Sequence, residues 1–83
     1  MPQKERLTLG TPAIYRIEIE GDLDESLSER LGGMCITKRK REDRTTVTTL
    51  KGRLRDQAEL TGVLNSLYEL HLPLLSVEIL DDE

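Results

Sequence analysis

Apolar residues in this chain change their spacing along its length, from every second position to about every fourth and back. A period of two belongs to a strand with one buried face and a period near 3.6 to a helix, so the order of periods fixes the order of elements. Ala13, Tyr15, Ile17 and Ile19 alternate with Ile14, Arg16, Glu18 and Glu20, which predicts a first strand ended by Gly21. Leu23, Leu27 and Leu31 then recur every four residues, and Asp22 with Glu25 has the spacing of an N-terminal capping box, so a short helix is expected. Gly32-Gly33 stops it, the first glycine suiting a left-handed C-terminal cap.

From Met34 the alternation returns, with Met34 and Ile36 on one side and Cys35 and Thr37 on the other. Arg41-Glu42-Asp43-Arg44 reads as a turn into Thr45-Thr46-Val47-Thr48-Thr49-Leu50, a run of branched residues that favour strands, and the two segments make a hairpin. Val47 and Leu50 differ in parity, so one of them faces away from the core; Leu50 is expected inside, with a bulge or early bend near Gly52. Asp56 and Glu59 repeat the capping-box spacing ahead of Leu60, Val63, Leu64, Leu67 and Leu70, the strongest helical pattern in the chain. Pro73 closes that helix, and Leu74 to Leu80 reads as a last strand with Leu75, Val77 and Ile79 pointing inward.

Strand, helix, strand, strand, helix, strand is the split β-α-β, ferredoxin-like plan (βαββαβ), an α+β fold. It implies a four-stranded antiparallel sheet running fourth, first, third, second strand, with two helices on one face and the other face open. At 83 residues there is room for one such domain, expected over residues 12–83, preceded by a flexible N-terminal arm over residues 1–11 that shows no apolar period.

Composition narrows the function more by exclusion than by assignment. A lone cysteine, Cys35, and a lone histidine, His71, leave no disulfide and no cysteine- or histidine-based metal cluster, so a reducing, cytoplasmic setting is expected. No apolar run approaches the roughly 20 residues that cross a bilayer, so no membrane association is expected. Neither a catalytic constellation nor a cofactor or metal site can be read from the residues, and the expectation is a protein that is not an enzyme and needs no cofactor.

The net charge of −4 conceals a strong division. Residues 38 to 55 hold eight bases against two acids, a local charge of +6, whereas the rest of the chain holds four bases against fourteen acids, −10. Such polarity acts on association more than on folding. Lys38, Arg39, Lys40, Arg41 and Arg44 form the basic cluster, and Glu18, Glu20 and Glu78 should project from the open sheet face on the neighbouring first and fourth strands. These eight are the candidate interaction residues. Between two copies turned about a twofold axis, the acidic half of one sheet would complement the basic half of the other, so a homodimer using the open face or an edge strand is expected. An acidic protein partner would also suit the basic cluster.

Nucleic-acid binding through the hairpin 38–55 is an alternative, disfavoured because single-strand and RNA-recognition sheets need aromatics on the exposed face. There is no Phe or Trp, and Tyr15 has the parity of the buried set. Cys35 adjoins the basic stretch, the setting of a reactive thiol, but with no resolving cysteine it reads better as a half-buried small hydrophobe. His71 most simply meets the last carbonyls of the long helix.

The segments Leu31-Gly32-Gly33-Met34-Cys35-Ile36-Thr37, Leu50-Lys51-Gly52-Arg53-Leu54-Arg55-Asp56-Gln57-Ala58-Glu59-Leu60-Thr61-Gly62-Val63-Leu64-Asn65 and Leu72-Pro73-Leu74-Leu75-Ser76-Val77 resemble a group of small, uncharacterised bacterial proteins of about this length. That resemblance covers Tyr15 to Leu80 and implies no particular activity; its members carry Gly where this chain has His71. The segment from Asp56 to Glu78 is similar, through the spacing of its aliphatic residues, to the second half of ACT regulatory domains, which implies as a further alternative a small effector bound at a subunit interface.

Overall fold

The structure, a computed structural model, describes residues 12–80. The arm expected over 1–11 and the acidic end at 81–83 lie outside the described residues. Four strands, β1 (Ala13–Glu20), β2 (Cys35–Lys40), β3 (Thr46–Leu54) and β4 (Leu74–Leu80), form one antiparallel sheet in the order β2-β3-β1-β4. A 3-10 helix (Glu25–Leu31) joins β1 to β2, and an α-helix, α1 (Gln57–Glu69), joins β3 to β4. The protein is thus α+β, with both helices contributing to one apolar layer against the same sheet face.

That layer follows from the alternation in β1. Ala13, Tyr15, Ile17 and Ile19 are all buried and share one core with Leu23, Leu31, Met34, Ile36, Leu50, Leu54, Val63 and Leu67. Across the sheet, Ile36, Leu50, Ile17 and Val77 stand in one row, each opposite the next, so Leu50 occupies the middle of the sheet as expected. Thr48 is on the same face, fully buried, with its Oγ1 donating to the carbonyl of Gly21 at 2.6 Å. A hydroxyl there avoids the cost of a buried unpaired polar group.

The expected bulge at Gly52 is absent: β3 pairs with β1 in unbroken register from Ala13↔Leu54 to Glu20↔Val47. Gly52 instead marks a close approach, because a Cβ built on it would lie 3.2 Å from Met34 Cα. The irregularity is in β4, where Ser76 pairs with Glu18 but Leu74, rather than Leu75, pairs with Ile19.

The first helix also departs from expectation. Asp24, not Asp22, is the N-cap, its Oδ1 accepting from Ser26 N at 3.0 Å, while Asp22 is drawn off to Lys38 at 2.7 Å. Seven residues including Ser26 and Ser28 give weak helix propensity and no length over which to repay nucleation. The tighter 3-10 form results. Gly32 closes it in the left-handed region at φ 73°, as expected.

α1 begins as its spacing predicts, with Asp56 Oδ1 accepting from Glu59 N at 2.9 Å. Glu59 reaches back one residue further than a capping box requires, to Arg55 N at 2.8 Å. At the other end Leu72 N donates to Leu67 O and His71 N to Tyr68 O, the paired bonds of a Schellman cap, with His71 in the left-handed position at φ 61°. A β-carbon in that region costs roughly 1–2 kcal/mol, which glycine avoids at the expense of a more flexible unfolded chain. His71→Gly is therefore expected to raise stability by about 0.5–1 kcal/mol, read as a higher urea midpoint; a lower midpoint would mean the imidazole itself stabilises the fold.

Candidate functional site: the two sheet faces and the β4 edge

Strand alternation decides where each candidate charge goes, and it divides the basic cluster. Lys38 and Lys40 fall on the helix side of β2, whereas Arg39 shares the opposite face with Thr37 and Cys35. Lys38 pairs with Asp22, and that bond holds its ammonium pKa above the ordinary lysine value. Arg39 reaches Glu18 at 3.9 Å and Arg41 reaches Glu20 at 3.6 Å, so both arginines span β3 to glutamates on β1. Glu78 on β4 accepts from Arg16 Nε at 3.0 Å. The acidic and basic halves of the open face are thus joined within a single chain.

One residue exposes the consequence. Val47 faces away from the helices, in the register between Glu20 and Arg39, and is still only 1% exposed. Long aliphatic stems can cover apolar surface while their charged ends stay wet. Surface pairs of this kind contribute about 0–1 kcal/mol each, and the shielding of Val47 is their more tangible effect.

The turn is held by Asp43, whose Oδ1 accepts from the Thr45 hydroxyl at 2.7 Å and the Thr45 amide at 3.0 Å. Those bonds, the hydroxyl's first, keep its carboxyl pKa below the usual value. Arg44 takes a left-handed φ of 73° and its amide donates to Arg41 O. Arg39, Lys40, Arg41, Glu42 and Asp43 line an open hollow of about 500 Å³ at the hairpin tip. Its wall is charged on every side, unlike the apolar walls of small-molecule sites. Between the helices, Leu27, Arg30, Leu31, Ser66, Glu69 and Leu70 enclose only about 30 Å³, room for about one water.

Cys35 is exposed, not half-buried, because Ile36 takes the inward position beside it. Among the described residues no three His, Cys, Asp or Glu side chains come together in a way that could hold a metal ion. None of the described helices is long and apolar enough to cross a membrane.

Sequence reasoning points Val77 and Ile79 into the core, and the structure leaves them at the outer edge of β4. Val77 and Ile79 do lie on the helix side, opposite Ile17 and Tyr15, but they are 37% and 53% exposed. The expectation that they and Leu75 are buried is corrected for a geometric reason: α1 packs on β3 and the 3-10 helix, leaving the last strand beyond the helical layer. Leu74 and Leu75 are exposed as well, with Leu70 and Tyr68 of α1 nearby in sequence. Among the described residues β4 pairs only with β1, so its second row of backbone groups has no described strand beside it.

A family model described as a domain of unknown function, DUF8691, matches residues 14–78. The chain belongs to the DUF8691 family. No curated protein and no solved structure matches it. The span of the DUF8691 match takes in all of β2, β3 and α1 and ends within β4, so the exposed Val77 falls inside the family domain.

Proposed function

We propose that this domain is a non-catalytic association module that works as a homo-oligomer in a bacterial cytoplasm, and that its binding surface is the β4 edge. The observation that carries the reading is that a strand edge with no described strand beside it coincides with Leu74, Leu75, Val77 and Ile79, four of the six large hydrophobic residues left exposed among the described residues. Proteins that stay monomeric commonly guard such an edge with lysine, proline or inward-pointing charge. β4 has the single charge Glu78, already engaged by Arg16.

The strand order and the placement of one helix in each crossover support the ferredoxin-like plan as the scaffold of this module. The bacterial, cytoplasmic setting rests on the family likeness and the sparse cysteine. Association through apolar surface and backbone pairing makes a demand that electrostatic pairing of the open faces does not. Sedimentation velocity over a wide protein concentration range is expected to give a dimer whose dissociation constant changes little between low and high salt. A steep weakening with salt would return the interface to the charged face, and a monomer at every concentration would end the reading.

A further inference from the structure

We infer that the β4 edge takes a second copy of itself, β4 against β4 in antiparallel pairing about a twofold axis through Val77, so that two four-stranded sheets continue as one. This inference rests on the association proposed above and specifies its geometry.

The strand reads Leu74-Leu75-Ser76-Val77-Glu78-Ile79-Leu80, with Val77 at its centre. Reversed on itself about that residue, it sets Leu75 opposite Ile79, Ser76 opposite Glu78, and Val77 opposite its own equivalent, with Leu74 beyond the register shift that ends the regular pairing. Each apolar residue meets an apolar one and each polar residue a polar one. Self-complementarity of this kind is what an isologous interface requires. Centring on Ser76 would put Glu78 opposite Leu74, and centring on Glu78 would put two carboxylates side by side. Like charges directly opposite destabilise a strand pair.

The surroundings agree with that register. Glu78 is neutralised by Arg16, and the hydroxyl of Ser76 would lie across from it on the same face. On the helix side, Val77 and Ile79 of both copies would form one apolar strip, continuing the row Ile36, Leu50 and Ile17 across the junction. At the opposite edge of the sheet, β2 carries Lys38, Arg39 and Lys40 in succession, and a twofold through any of the three would set cations against one another.

The test uses the full chain with Val77→Lys and Val77→Glu, each alone and mixed, by sedimentation, with circular dichroism to confirm folding. Each variant alone is expected to associate at least about 100-fold more weakly than the unmodified chain, because the axis sets residue 77 against its own copy. The equimolar mixture is expected to recover the dimer. If both variants dimerise like the unmodified chain, the β4 geometry is overturned while self-association stands. A mixture that stays monomeric overturns the axis through Val77, and an unmodified chain that is always monomeric removes both readings, leaving the edge to residues 1–11 or to another protein. Should either charged variant fail to fold, Val77→Cys in a Cys35→Ser background decides the matter. Opposed residues in an antiparallel pair have Cα atoms about 4.5–5.5 Å apart, within disulfide reach. Mild oxidation is therefore expected to give a covalent dimer, and its absence overturns the pairing.

Discussion

Leu50→Ala is expected to lower the unfolding free energy by about 3 kcal/mol, within the range of roughly 2–5 kcal/mol for truncating a fully buried leucine. Leu50 is 0% exposed and is flanked by Ile17 on one side and Ile36 on the other, in the two inner strands and one edge of the sheet. Two branched neighbours anchored in hydrogen-bonded strands cannot close around the missing atoms, so a cavity persists. A domain of this size holds on the order of 5 kcal/mol in all, so the variant keeps about 2 kcal/mol, a folded excess of roughly 30-fold. Urea denaturation followed by circular dichroism measures it, and a midpoint lower by roughly 2 M is anticipated at the slopes usual for small domains. Val47→Ala provides the contrast. Val47 is just as buried, but on the open face between Glu20 and Arg39, whose long side chains are free to settle onto a gap, so its loss should be nearer about 1 kcal/mol. Equal losses at the two positions would contradict the distinction between a helix-packed face and a charge-covered one.

Gly52→Val tests the close approach of β3 to the chain entering β2. Two effects compete. A strand glycine replaced by a branched residue gains up to about 1 kcal/mol of β propensity where space allows. At Gly52, however, the new Cβ meets the Met34 backbone at 3.2 Å, and two further contacts with the Met34 side chain lie at 3.4 and 3.5 Å. Met34 is itself 1% exposed and follows two left-handed glycines, so it has little freedom to retreat. Overpacking a core costs typically 1–3 kcal/mol, and the cost should win, for a net loss of about 2 kcal/mol in the same urea experiment. A stabilised variant would show that the Met34 segment yields readily.

The sequence reveals this fold wherever a local rule and the tertiary environment agree. β1 alternates because one of its faces is wholly covered, and its limits, Ala13–Glu20, match the alternation residue for residue. α1 starts at its aspartate cap for the same reason, a short-range bond that needs no distant partner. The 3-10 helix was legible as a turn of leucines but not in its winding, since Asp22 was claimed by Lys38 from another element. Val47 was placed on the correct face, but its burial depends on side chains of β1 and β2 that no local pattern connects. β4 was misread as buried because Val77 and Ile79 alternate like core residues; alternation records which face a residue takes, not whether a helix extends far enough to cover it. Glu18, Glu20, Arg39 and Arg41 are all candidates in the sequence, but their pairing inside one chain depends on the strand order that sets β3 between them.

The division of the basic run by strand alternation bears on polyanions. A phosphate backbone laid along the helix side of β2 would find Lys40 and a Lys38 already tied to Asp22; laid on the other side, it would find Arg39 and Arg41 in competition with Glu18 and Glu20, together with Lys51 and Arg53 of β3. The open side is therefore the more cationic of the two approaches. Any nucleic-acid affinity should then change with salt by a log–log slope no steeper than roughly −4, short of the slopes of proteins that grip six to ten phosphates at once.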